Sequence, residues 1–162
     1  MKNPRTFLNN SSGTAAAEMA LVLPMLLALM FVAFEGGHYL YIEHQVVKGV
    51  RDGARFAARQ AFSKYTCTTV DAALQTQIKE VTRTGKTSGG STRVSGWANA
   101  DVTVTATCPG TAVTTGIYSG MANAPRVTVN TSVIYPSLFK ALGLFNSSTI
   151  VGARQQAAVM GL

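Results

Sequence analysis

The chain has 162 residues and carries 14 Lys+Arg against 7 Asp+Glu, a net charge of +7; 47% of it is apolar and only 13% charged. That charged share is about half of the roughly 25% usual in soluble domains, and mean hydropathy is +0.20. An intrinsically disordered chain is excluded, and a fully soluble cytosolic one is disfavoured.

The apolar excess sits in one stretch. Ala15 to Phe34 reads AAAEMALVLPMLLALMFVAF, 20 residues with a single charge, Glu18. As a helix it rises about 30 Å, the hydrocarbon thickness of a bilayer. A buried core helix would need apolar walls on every side, which so short a chain hardly supplies. The stretch is therefore read as a membrane span over 15–34. Glu35-Gly36-Gly37-His38-Tyr39 follows it, with no small-x-small cleavage site, which argues against a cleaved secretory signal. An uncleaved signal anchor is one remaining reading.

The other depends on what precedes the run. Met1 to Gly13 is polar, with Lys2 and Arg5 and no acid. A glycine, four small residues and a glutamate then lead into the apolar stretch. A carboxylate in hydrocarbon is costly unless paired or close to the interface. Glu18 either snorkels at headgroup level or has a partner. Cleavage after Gly13 would supply one. It would free an amine on Thr14 and make Glu18 the fifth residue of the mature chain, able to neutralise the amine of a neighbouring subunit.

Two stretches, GTAAAEMALVLPMLLALMFVAFEGG and VVKGVRDGARFAARQ, carry a resemblance. Gly13 to Ala61 resembles the TadE-like family of pseudopilins from tight-adherence (Flp-type) pilus systems. Lys48-Gly49 departs slightly from the family pattern, while Arg51-Asp52-Gly53-Ala54-Arg55 matches it well. The resemblance implies processing by a prepilin peptidase at Gly13-Thr14 and a minor role in pilus assembly. The partners it implies are other pilin or pseudopilin subunits, that peptidase, the inner-membrane platform of the pilus, and membrane lipid.

Helical spacing continues beyond the span. Ile42, Val46, Val50, Ala54, Ala57 and Ala61 recur at three- and four-residue intervals. A long helical segment is assigned to 14–64, its helix running from about Thr14 to about Phe62. Pro24 is expected to kink it, because proline deletes the bond to the Ala20 carbonyl. Gly36-Gly37 is the expected hinge. Lys48, Arg51, Arg55 and Arg59 form a basic stripe, and Lys48, Asp52 and Arg55 are spaced for ion pairs on that face. The stripe is read as a packing or solvated face; capture of DNA through it is the alternative.

Residues 65–162 are read as an exported head. Cys67 and Cys108 are the only cysteines, and an even count in an exported chain favours a disulfide over two buried thiols. Such a bridge also orients the chain, with the N-terminus cytoplasmic and the head periplasmic. Alternation over Asp101–Cys108 predicts a strand with Cys108 facing the core. Further strands are predicted near Val94–Ala98, around a core Trp97, at Arg126–Tyr135 with Val127, Val129, Thr131 and Val133 on one side, and at Thr149–Val159. Thr69 is the expected cap of a second helix ending near Arg83, with Val70, Ala73, Leu74, Gln77, Ile78 and Val81 on one face. Pro109 to Ala124 reads as a loop and Leu138–Leu142 as a short helix. The sum is an α+β fold: a long N-terminal helix followed by a small antiparallel sheet domain with one packed helix, pilin-like.

Catalytic chemistry finds no footing in the sequence. Gly85-Lys86-Thr87 resembles the end of a P-loop, but Glu80 stands where the upstream glycine belongs. His38 and His44, beside Glu35 and Glu43, are the only histidines; their offset turns them apart, so no metal site is assigned. The head has no histidine and hence no triad. No enzyme activity, cofactor or metal is expected, and nucleic acid is disfavoured as a partner. The reading is a structural subunit of a tight-adherence pilus, with adhesion as its downstream role. An uncleaved, membrane-anchored binding module is the alternative.

Charge runs as a gradient. Thr14–Val47 contributes −3, Lys48–Lys64 +4, and Tyr65 onward +4.

Overall fold

The computed structural model describes residues 12–108, 110, 114–120, 124–140 and 148–161. Helix α1 spans Ser12–Ala58, 47 residues, or about 70 Å at 1.5 Å per residue. It continues without a break through Pro24 and through Gly36-Gly37. The expected glycine hinge is absent because the helix is already engaged by the head at this level, beginning with the buried Glu35.

Two halves of α1 behave differently. Leu21 is 80% exposed, and every residue from Gly13 to Met30 is exposed. From Glu35 on, one stripe is buried: Ile42, Val46, Val50, Ala54 and Ala57. Ala61 is exposed and lies past the helix, which stops at Ala58 rather than near Phe62. Tertiary donors decide where it stops. The Tyr65 hydroxyl donates to the Ala57 carbonyl, and the Met160 amide donates to the Ala58 carbonyl at 2.7 Å. Two carbonyls of the last turn are thereby satisfied.

Helix α2 spans Ala72–Thr84. Its cap is Asp71, not Thr69: Asp71 Oδ1 accepts from the Leu74 amide at 3.1 Å. Thr69 is instead bonded to Thr66 in the preceding turn, its hydroxyl 2.7 Å away. The helix ends on Gly85 in the left-handed region, φ +80°, a conformation glycine adopts without a Cβ penalty. Leu74, Ile78, Val81 and Thr82 are its buried residues, whereas Ala73 and Gln77 face solvent.

Three strands follow, β1 (Val102–Thr107), β2 (Arg126–Ile134) and β3 (Ile150–Ala158). They form one antiparallel sheet in the order β1-β2-β3. Val104 faces Val129 across β1–β2, and Val133 faces Val151 across β2–β3. The expected strand at Val94–Ala98 does not form. That segment is a run of turns whose Val94 and Trp97 are buried, the indole filling the space between helices and sheet. Leu138–Lys140 is a turn; the remainder of the expected short helix lies outside the described residues. Helix α1 lies over β2 and β3, α2 lies beside α1 and against β1, and the core is the layer between.

Cys67 and Cys108 form a disulfide with Cα atoms 4.9 Å apart. It sits at the surface, with Cys67 exposed and Cys108 half-buried. Cys108 lies one residue past β1 and so leaves the alternation that would have pointed it inward. The bridge ties the chain just past α1 to the end of the first strand.

Candidate functional site

Gly13, Thr14 and Glu18 all lie on the exposed first turns of α1. Helix α1 includes Ser12, so the Gly13–Thr14 bond is helical, one turn upstream of the Glu18 carboxylate. The basic residues Lys48, Arg51, Arg55 and Arg59 are also exposed. Arg51 and Arg55 border a cleft of about 180 Å³ with Ala54 and with Gln155, Gln156 and Ala157 of β3. The middle of the stripe, Arg51 and Arg55, thus borders the seam between helix and sheet edge. The ion pair of Asp52 is made elsewhere, with Arg93 from the loop after α2, at 2.7 Å.

Two further clusters connect the long helix to the head. The first is the α1–α2 contact. Gly49 and Gly53, one turn apart, allow close approach. A Cβ at Gly49 would strike the Thr82 carbonyl and come within 2.8 Å of the Trp97 ring, and one at Gly53 would strike the Thr82 hydroxyl. The glycine at 49, a departure at sequence level, is required by the neighbouring helix.

The second cluster is centred on Glu35, which is 1% exposed. Its Oε2 accepts from the Phe139 amide at 3.3 Å, and Ser137 and the Leu138 amide also face the carboxylate. The Tyr135 hydroxyl donates to the Glu35 backbone carbonyl at 3.2 Å and lies 2.9 Å from His38 Nδ1. Tyr39 meets Tyr135 edge-on, ring centroids 5.3 Å apart, and Phe31 meets Phe139 at 5.0 Å. Burial and the neighbouring carboxylate raise the Tyr135 phenol well above its ordinary value. Glu35, Gly36, Tyr39, Tyr135 and Thr149 line an open cleft of about 360 Å³. Hydrogen bonds from Tyr135 and Phe139 tie the head to one turn of α1.

In the sequence, Glu35 and His38 stand out only as neighbours spaced to ligate a metal. A lone carboxylate at the end of an apolar run was the available signal. Tyr135 and Phe139 gave none, since they reach α1 only through the sheet.

The composition of α1, its exposed apolar half and its packed small-residue half all belong to one segment. Residues 13–55 match the family model of the TadE-like proteins. This associates the chain with the tight-adherence pilus. The TadE-like segment takes in the apolar half of α1, the Glu35 turn and both interface glycines; α2 and the sheet lie outside it. No curated protein and no solved structure matches the chain. The apolar half of the TadE-like helix is long and hydrophobic enough to cross a membrane, and none of its most apolar window is buried, so it is a candidate membrane anchor.

Proposed function

We propose that this protein is a minor pilin or pseudopilin of a tight-adherence pilus system, with a structural role in pilus assembly and surface adhesion. The TadE-like match carries the reading, because it takes in the half of α1 whose apolar side chains, Gly13 to Met30, are exposed among the described residues. A subunit of this kind waits in the inner membrane with its N-terminus cytoplasmic and its head periplasmic. Lys2 and Arg5 favour that orientation under the positive-inside rule, and the Cys67–Cys108 bridge suits an oxidising compartment. A prepilin peptidase cuts after Gly13. The new Thr14 amine then pairs with Glu18 of a neighbouring pilin subunit, and the inner-membrane platform takes up the processed chain. The domain division is accordingly leader 1–13, a long helical segment 14–64 in which α1 runs to Ala58, and head 65–162.

The intact mass of the protein from its native cell tests the reading. A chain beginning at Thr14 is expected. A chain beginning at Met1, in cells that hold the peptidase, overturns it and leaves the uncleaved anchored module. Glu18→Ala is expected to impair assembly while membrane insertion persists; normal pili would remove the amine-pairing role.

A further inference from the structure

Phe31 belongs to the apolar run, three residues before its end at Phe34. At 1.5 Å per residue that is about 4–5 Å inside the run. Phe139 belongs to the head, yet its ring centroid is 5.0 Å from that of Phe31. If the run lies in hydrocarbon, the turn bearing Phe139 cannot stand off from the bilayer. Its neighbours fit that position. Leu138 is 55% exposed, and Ile134 and Ile150, paired across β2 and β3, are 64% and 61% exposed. Lys140, also exposed, is the one charge in the sequence Leu138-Phe139-Lys140-Ala141-Leu142-Gly143-Leu144-Phe145. A long stem lets a lysine bury methylenes and hold its ammonium at the phosphates.

We propose that the turn at residues 136–140, together with Ile134 and Ile150, is a lipid-contacting foot of the head. Leu138 and Phe139 enter the acyl-chain boundary beside the span, and the isoleucine pair rests at the interface. The patch is continuous with the span through the Phe31–Phe139 contact, which selects lipid as the occupant. Exposed apolar groups grouped in this way mark an interaction surface rather than ordinary scatter. The foot also covers Glu35 from the membrane side, since the Phe139 amide that inserts with it is the donor to that carboxylate. This inference rests on α1 being a membrane span.

Nitroxide labels on single added cysteines test it, in the full chain with the native disulfide kept oxidised. The proteoliposomes contain phosphatidylethanolamine and phosphatidylglycerol. Leu138→Cys is the probe, Leu23→Cys marks the span, and Ser95→Cys marks an exposed site on the head outside the patch. The label at 138 is expected to be accessible to oxygen and shielded from a water-soluble nickel chelate, as at 23 and opposite to 95. Shielding at 23 with chelate access at 138 equal to that at 95 overturns the foot and leaves the span. Chelate access at 23 removes both. Shielding at 138 from both reagents means protein covers the patch, which also overturns the proposal. Ile134→Cys gives the same reading should Leu138→Cys fail to fold.

Discussion

The indole Nε1 of Trp97 donates to the Thr131 hydroxyl at 3.0 Å, and that hydroxyl donates onward to the Asp101 carbonyl at 2.9 Å. Trp97 is 1% exposed and Thr131 2%. Thr131→Val keeps the volume but leaves both the indole N–H and the carbonyl without this partner. A loss of about 1–3 kcal/mol is expected, read from the denaturant midpoint in detergent. Thr131→Ser keeps the hydroxyl and should lose less.

Two glycines on α1 should respond oppositely to the same change. Gly53→Ala places a methyl against Thr82 and should cost about 1–3 kcal/mol through overpacking. Gly37→Ala meets nothing within 4 Å. It should stabilise the helix by about 0.5–1 kcal/mol, since glycine loses more chain entropy on folding. Equal effects in thermal unfolding would contradict the close α1–α2 approach.

Reducing the Cys67–Cys108 bridge, which closes a sequence separation of 41 residues, releases a constraint worth about 4 kcal/mol in the chain-entropy model. Cys67→Ser with Cys108→Ser should lower the unfolding free energy by a comparable amount, seen as a lower unfolding midpoint. Because the bridge lies at the surface, the paired serines leave no buried cavity, and an intact head of unchanged midpoint would refute its stabilising role.

Alkaline pH should weaken the head. Burial pushes the Tyr65 phenol up to about 12 and also raises Tyr135, where the Glu35 carboxylate adds to the effect. A phenol whose folded pKa exceeds its unfolded value of about 10 binds its proton more tightly in the fold. Its contribution is complete below about pH 10 and is lost as pH rises through about 12. Tyr65→Phe starts less stable, having lost the donor to Ala57, but should show a shallower fall above about pH 10. Unfolding midpoints measured across that range check the difference.

Much of this architecture was legible from local pattern. The three strands lie within a residue or so of their predicted ends because alternation, strict over Val102–Thr107 and broken only at the buried Thr128 in Arg126–Ile134, reports burial on one face. The apolar run and the interior stripe of α1 were equally plain. The strand predicted at Val94–Ala98 was not found, because Val94 and Trp97 are buried by filling a gap rather than by pairing. The helix cap moved from Thr69 to Asp71, a choice between two competent side chains made by the turn between them.

By itself the sequence determined what depends on neighbours along the chain: a helix long and apolar enough for a bilayer, a TadE-like segment at its start, an alternating antiparallel sheet, and a charge gradient from one end to the other. The tertiary structure alone decided where distant segments meet. Gly49 and Gly53 have meaning only because Thr82 and Trp97 press on them. Glu35 is a buried anchor only because the turn at Phe139 arrives about a hundred residues later, the separation being 104. Periodicity reports which face of an element is apolar; it carries no information on which other face will cover it, since burial is non-directional and the partner is set by packing.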